Sequence, residues 1–294
     1  MMNRHYFDYH TGKLPDQEAF CRHLVDLGRL GEIEDEHVNP MTIRLLVTND
    51  NLNAIHSFCD NVKAKLNFAV ASVNQLGLPG AQPMLSRVGT SVSGAMSVTP
   101  AFTVPAPAPG TAHPASYTVS GLGVQYYHLV KNNTDWYHAP NISVDSFSLH
   151  KALYQFFTNF MSSLDRIALE ITKLIPGTNA DYFSELTNAG SDSVAHLNAN
   201  GFNSLTGITV RVTGAPANLS EQVMQANKYR NRITHDGIIK IEIDPATGVA
   251  YLPDDPKAAN PNFNIPLVSF CQEKFDKLLD LLNAIYAQLI VDIH

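Results

Sequence analysis

Cysteine is scarce in this chain of 294 residues: Cys21, Cys59 and Cys271 are the whole set, and they lie far apart. No Cys-x-x-Cys or Cys-x-x-His pair occurs, so the spacing that a structural zinc site needs is missing. An odd, sparse set of thiols fits the reduced side chains of a cytosolic protein better than a disulfide framework. Positive charge is short as well, with 20 Lys and Arg against 27 Asp and Glu and a formal net charge of −7. That balance excludes a nucleic-acid binder that is basic over its whole surface and leaves room for one local basic spot. Long apolar runs are absent, and none approaches the ~20 residues of a membrane-spanning helix. The opening residues, Met1 to His10, carry no apolar h-region, which predicts no secretory signal peptide. Phosphate-loop, dinucleotide and nucleophile-elbow patterns are all missing: Gly121-x-Gly123 stands alone, and no Gly-x-Ser-x-Gly occurs. The histidines from His5 to His150 show no metal-ligand spacing, so neither a metal nor another cofactor is expected.

What is present is apolar periodicity. Hydrophobic residues make up 45 % of the chain, enough for a sizeable core. Pro15 opens a predicted helix running to about Leu30, with Phe20, Leu24 and Leu27 on one side. The acidic residues Glu32, Glu34, Asp35 and Glu36 read as a solvated loop. A long helical pattern covers 42–76, its buried side marked by Ile43, Leu46, Ile55, Phe58 and Val62, and Asn49-Asp50-Asn51 is a candidate break. A second strong helix is predicted over 145–175, with Leu149, Leu153, Phe156, Phe157, Phe160, Leu164, Ile167 and Ile171 forming a wide apolar face. Asp165 and Arg166 interrupt that face and read best as a salt-bridging pair on its exposed side. A short helix at 181–186, a mostly turn-like stretch over 187–217 with a strand at 208–212, and a final helix over 266–293 complete the helical reading.

Residues 77–140 differ. They hold eight of the 17 prolines, many Gly, Ser, Thr and Ala, and only Arg87, Lys131 and Asp135 as charged residues. The stretch reads either as an insertion lying over the helical core, or as a partner surface, or as a long irregular loop. A β-like run over 117–130 suits one hairpin around Gly121 and Gly123, and Trp136 reads as a buried anchor or a base-stacking platform. Nearer the C-terminus, Asp244-Pro245-Ala246-Thr247-Gly248 separates two short β-rich runs and predicts a hairpin.

The most informative stretch is 218–240. Asn218 is a good N-cap, Glu221 completes a capping box, and Leu219, Val223, Ala226 and Ile233 recur at helical spacing. Gly237 is the natural residue just past the helix end. Lys228, Arg230, Arg232 and Lys240 make a basic spot within thirteen residues. Asn231 and His235 lie about 40° apart on a helix, Arg230 and His235 about 140°. A guanidinium suits a phosphate and an imidazole can exchange protons near neutral pH, so these are parts for phosphodiester chemistry. The plain alternative is a solvated helix end whose His complements the helix dipole.

Arg230-Asn231-x-x-x-His235 resembles the signature of the HEPN superfamily, small all-helical domains that include many metal-independent ribonucleases. The resemblance implies Arg230, Asn231 and His235 as catalytic residues: His235 as general base or acid, Arg230 on the scissile phosphate, Asn231 orienting the histidine or the phosphate. Lys228, Arg232 and Asp236 stand beside them as substrate-binding candidates, Arg232 equally as a free surface residue and Asp236 equally as a helix cap. Tyr229 reads as core. RNA is the implied partner, a homodimer with facing motifs the implied assembly, and a cytoplasmic toxin or antiviral effector the implied role. A catalytically silent HEPN-like binding or dimerisation module is the alternative, and a helical structural protein the third reading. The expected architecture is a mainly α helical bundle over 1–294 with 77–140 as an insertion and a small hairpin after the motif helix.

Overall fold

The computed structural model describes residues 8, 11–75, 83–86, 124–132, 135–144, 146–236, 239–244 and 247–294, with the backbone alone for 34–37, 65–75, 83–86, 124–132, 135–144, 146, 147 and 236. The architecture is mainly helical. In chain order the helices are α1 (Pro15–Asp26), α2 (Glu34–Gln75), α3 (Ser146–Leu174), α4 (Phe183–Thr187), α5 (Asp192–Ala199), α6 (Asn203–Thr209), α7 (Leu219–Met224), α8 (Asn227–Asp236) and α9 (Leu267–Asp292). The strands are β1 (Pro83–Ser86), β2 (Val124–Asn132), β3 (Asp135–Val144), β4 (Glu242–Ile243), β5 (Ala250–Pro253) and β6 (Phe263–Pro266). Among the described residues no helix is long and apolar enough to cross a membrane.

The chain divides into two compact units, neither contiguous in sequence: one holds Met1–Leu52, Tyr154–Asn231 and Cys271–His294, the other Asn53–Leu153 and Arg232–Phe270. The first is helical. Its core is built from Phe20 and Leu24 of α1, Met41 and Leu45 of α2, Phe156, Phe157, Phe160, Leu164 and Ile167 of α3, and Phe275, Leu278, Leu282 and Ile285 of α9, all buried. Each such Phe or Leu removed from water contributes roughly 2–3 kcal/mol before conformational entropy is set against it. Ends are tied down by long-range polar bonds. Arg29 pairs with Glu32 and donates to the Leu174 carbonyl at 2.8 Å, occupying an end group of α3. His23 Nε2 lies 2.8 Å from the Ile293 carbonyl at the end of α9.

The second unit carries both sheets. β1, β2 and β3 pair antiparallel in that order, with Met84 opposite Tyr127, Lys131 opposite Trp136, and an irregularity between Tyr126 and His128. β4, β5 and β6 form the other antiparallel sheet, with Ile243 opposite Ala250 and Leu252 opposite Ile265. Gly248, at φ +72°, makes the turn before β5, and Thr247 donates to the Asp244 carboxylate at 2.6 Å.

Several expectations need correction. The acidic residues Glu34, Asp35 and Glu36 are the first turn of α2, after a 3-10 turn at Leu30–Ile33; carboxylates favour that end because they face the positive pole of the helix. Asn49-Asp50-Asn51 does not break α2, because Asn51 donates to the Val47 carbonyl and Thr48 to the Arg44 carbonyl, which satisfies their polar groups within the helix. The buried stripe of α2 is Met41, Leu45, Leu52, Ile55, Cys59 and Val62, while Ile43 is exposed. The stretch 187–217 is not mostly turn: it folds as α5 and α6 around buried Val194, Leu197 and Leu205, with Ser191 capping α5, and Ile208 to Thr209 are helix rather than strand. β2 pairs with β3 and β1 rather than folding back near Gly121 and Gly123, which lie outside the described residues. The hairpin near Gly248 gains a third strand, β6, which ends at Pro266, where the final helix was expected to start; that helix begins at Leu267. The rest of the 77–140 stretch, the side chain of Trp136, and most of residues 1–12 lie outside what is described.

Candidate functional site

The motif stretch is two helices, not one. α7 ends at Met224 with Gln225 as its cap, and the backbone bonds that follow, Ala226 N–H to Val223 and Tyr229 N–H to Ala226, are of the tighter three-residue kind at the junction with α8. Asn218 caps α7 as expected, accepting from Glu221 N–H at 2.7 Å and donating to the Val210 carbonyl at 3.0 Å. Glu221, however, is drawn away to a salt bridge with Arg211. The break redirects α8 so that Tyr229 points inward. Tyr229 is fully buried and stacks on Phe157 of α3, centroids 5.4 Å apart and planes 21° from parallel. Lys228 places its Nζ 5.0 Å from the Tyr229 ring centre.

That anchor fixes the residue that follows. Arg230 is half-buried, donates from Nη1 to Asn231 Oδ1 at 3.2 Å, and acts on Asp165 of α3. Asp165 is therefore not an exposed surface partner. It is half-buried, and its carboxylate accepts from the Phe183 N–H at 3.0 Å, at the start of α4. Burial pushes its pKa up; the Phe183 N–H, Arg230 and Arg44 pull it down, and Glu185 pushes it up again, leaving a net rise. Arg44 reaches the same place from α2. Its Nη1 donates to Asn159 Oδ1 at 3.4 Å, while its buried Nε has no acceptor among the described residues. Burial, then repulsion from Arg166, lowers the Arg44 pKa, and Asp165 opposes them.

In the first unit the charges of Arg230 and Arg44 thus both act on Asp165, which the sequence places with Arg166 on an exposed face, while Arg44 drew no attention there. The available signal was two charged residues inside an otherwise apolar face of a long helix, with Arg44 between Met41 and Leu45 on another. The unit boundary falls just after Asn231. In the second unit, Arg232 is half-buried and His235 is exposed in the last turn of α8. The Asp236 side chain and Gly237 lie outside the described residues, so the roles expected for them have no structural account. Chemically, a guanidinium is a donor fork suited to an oxyanion and an imidazole a group suited to proton transfer. No family model matches the chain, and neither does any curated protein or solved structure.

Proposed function

We propose that this protein is a metal-independent endoribonuclease of HEPN type, of the kind that serves as a cytoplasmic toxin or antiviral defence effector. The observation that supports it best is the seating of Arg230: a buried aromatic stack holds its helix, and the charge of its half-buried guanidinium acts on the half-buried Asp165 carboxylate. A charge held in partly dry surroundings interacts more strongly with a phosphate than one in water does. In the proposed reaction a general base takes the proton of a ribose 2′-hydroxyl, and the 2′-oxygen bonds to the adjacent phosphorus. The bond from phosphorus to the 5′-oxygen breaks, and a general acid protonates that oxygen. The products are a 2′,3′-cyclic phosphate and a 5′-hydroxyl. Arg230 neutralises the charge that develops on phosphorus oxygens, and His235 supplies the proton transfer. One motif His per chain cannot be base and acid in a single turnover, so two copies related by a two-fold axis complete the reaction.

The exposure of His235 favours a second reading: a catalytically silent module that binds RNA or nucleotide through the Arg230 face. One experiment separates the two. RNA is incubated in EDTA with wild type, Arg230→Ala and His235→Ala, products are checked for the cyclic phosphate, and sedimentation gives the oligomeric state. Cleavage by wild type that both substitutions abolish, from a dimer, is the expected result. Binding without cleavage selects the silent module; cleavage that survives both substitutions, or a strict monomer, ends the nuclease proposal.

A further inference from the structure

A polar cluster is closed inside the first unit, and the shortest of its four main helices forms one wall. Gln17 of α1, Met41 of α2, Glu170 of α3 and Tyr286 of α9 are all buried. The Tyr286 hydroxyl donates to Glu170 Oε2 at 2.9 Å and lies 3.1 Å from Met41 Sδ, and Gln17 Nε2 stands 3.8 Å from the same sulfur. Phe20, on the same side of α1 as Gln17, packs on the Tyr286 ring with centroids 5.6 Å apart. Two buried oxygens of the cluster, Glu170 Oε1 and Gln17 Oε1, have no donor among the described residues. A neutral Glu170 changes that count: its second oxygen becomes a hydroxyl, and Gln17 Oε1 is the acceptor left for it. An ionised Glu170 leaves both oxygens bare in a low dielectric, because the Gln17 amide N–H is turned to the Met41 sulfur. The helix that carries Gln17 is also the one built to move. α1 has 12 residues against 42, 29 and 26 in α2, α3 and α9, and its start has no side-chain cap. It is bracketed by Gly12 at φ +69° and Gly28 at φ +70°, left-handed positions that glycine adopts without strain and that serve as pivots.

We infer that Gln17 and Glu170 make a proton-operated latch for α1: the helix stays closed over the cluster while Glu170 keeps its proton, and it opens alone, about Gly12 and Gly28, when that proton is lost. Water must reach an ionised Glu170, and α1 is the wall with the fewest turns to displace. Its opening uncovers Phe20 and Leu24, both buried in the closed form. The groups whose charge acts on Glu170 are Tyr286 of α9 and Arg166 of its own helix; Cys21 of α1 acts on Tyr286, and α2 contributes the uncharged Met41. Burial outweighs the pull of Tyr286 and Arg166 and raises the Glu170 pKa to about 8 from 4.5. The raised value belongs to the closed form, so closure is complete below about pH 4.5 and weakens as pH rises through about 8. The latch is independent of the nuclease reading.

The test is amide hydrogen exchange of the full-length protein, expressed as protection against the unstructured exchange rate at each pH. The α1 amides from Phe20 to Leu24 are compared with buried amides of α3 and α9. In wild type the α1 amides are expected to be less protected than the others at every pH, which marks an opening of α1 by itself. Their protection should fall about tenfold per pH unit between about pH 5.5 and about pH 7.5. Glu170→Gln keeps a donor for Gln17 and cannot ionise, so its α1 protection should stay flat over that range. Gln17→Met removes the acceptor and should lower α1 protection at about pH 5.5 by about tenfold. Protection of α1 equal to that of α3 and α9 overturns the latch, since the helix then opens only when the whole unit unfolds. A flat wild-type profile, a slope that survives in Glu170→Gln, or unchanged α1 protection in Gln17→Met overturns it as well. The wild-type comparison and Gln17→Met decide the matter should Glu170→Gln fail to fold.

Discussion

A buried carboxyl in the helical core predicts a pH dependence of stability that one substitution should erase. Glu170 of α3 is completely buried. Its Oε2 accepts from the Tyr286 hydroxyl of α9 at 2.9 Å, and its Oε1 has no partner among the described residues. The same hydroxyl lies 3.1 Å from Met41 Sδ of α2, which Gln17 of α1 approaches at 3.8 Å, so the four main helices of the first unit each contribute to this polar cluster. Burial pushes the Glu170 pKa up to about 8 from 4.5, with the Tyr286 hydroxyl and the charge of Arg166 pulling weakly the other way. The Tyr286 phenol is itself raised by burial and by the facing carboxylate. A raised folded-state pKa means the native protein binds this proton more tightly than the unfolded chain. The stability it brings is complete below about pH 4.5 and is lost as pH rises through about 8. Between those limits the slope is ~1.4 kcal/mol per pH unit, so moving from about pH 5.5 to about pH 7.5 costs roughly 2–3 kcal/mol. Glu170→Gln keeps the shape and the acceptor for Tyr286 but cannot ionise. The assay is urea unfolding of wild type and variant at both pH values. The expected result is a fall in wild-type stability that exceeds the variant's by about 2–3 kcal/mol, whatever constant offset the amide introduces. Other titrating groups, including Asp165, are common to both proteins and cancel. Parallel pH dependences would refute the assignment of a neutral, proton-holding Glu170.

Three further outcomes are expected. Tyr229→Ala removes a fully buried ring stacked on Phe157 and should destabilise the fold by roughly 3–5 kcal/mol in denaturant unfolding; a loss below about 1 kcal/mol would mean that α8 is not anchored there. Gly177 has φ +87°, and a Cβ there would stand 2.6 Å from His196 Cε1, so Gly177→Ala should cost about 1–3 kcal/mol by the same measurement and displace His196 from the Pro176 carbonyl, a change visible in the His196 ring resonances. Asn218→Ala deletes the cap on Glu221 N–H and the bond to the Val210 carbonyl, and should cost roughly 1–2 kcal/mol; an unchanged melt would show the α7 start to be held by other contacts.

Local patterns reached some parts of this molecule and not others, for physical reasons. α3 and α9 are legible because their apolar residues recur at the helical period for many turns, and only one face can be buried. The same rule places Tyr229 in the core, as observed. α5 and α6 were missed because they are short and rich in Asn, Ser, Thr and Gly, residues that favour turns unless a few buried contacts such as Val194 and Leu205 override them. Asn49 to Asn51 failed as a break signal because polar side chains can bond back to helix carbonyls as readily as they can leave the helix. Asp165 was misread as a surface residue: a single charged position on a helix says nothing of which neighbours close over it.

By itself the sequence determined the helical class, the cap at Asn218 and the inward face of the longest amphipathic helices, since these depend on spacing within a few turns. It also brought Arg230, Asn231 and His235 together as a string of residues with phosphodiester chemistry in them. Only the tertiary structure decided that the charges of Arg44 and Arg230 both act on Asp165, more than a hundred residues from Arg44 along the chain, and that Glu170 is sealed among four helices. Charge and burial act through space, and no local pattern records which helices pack side by side.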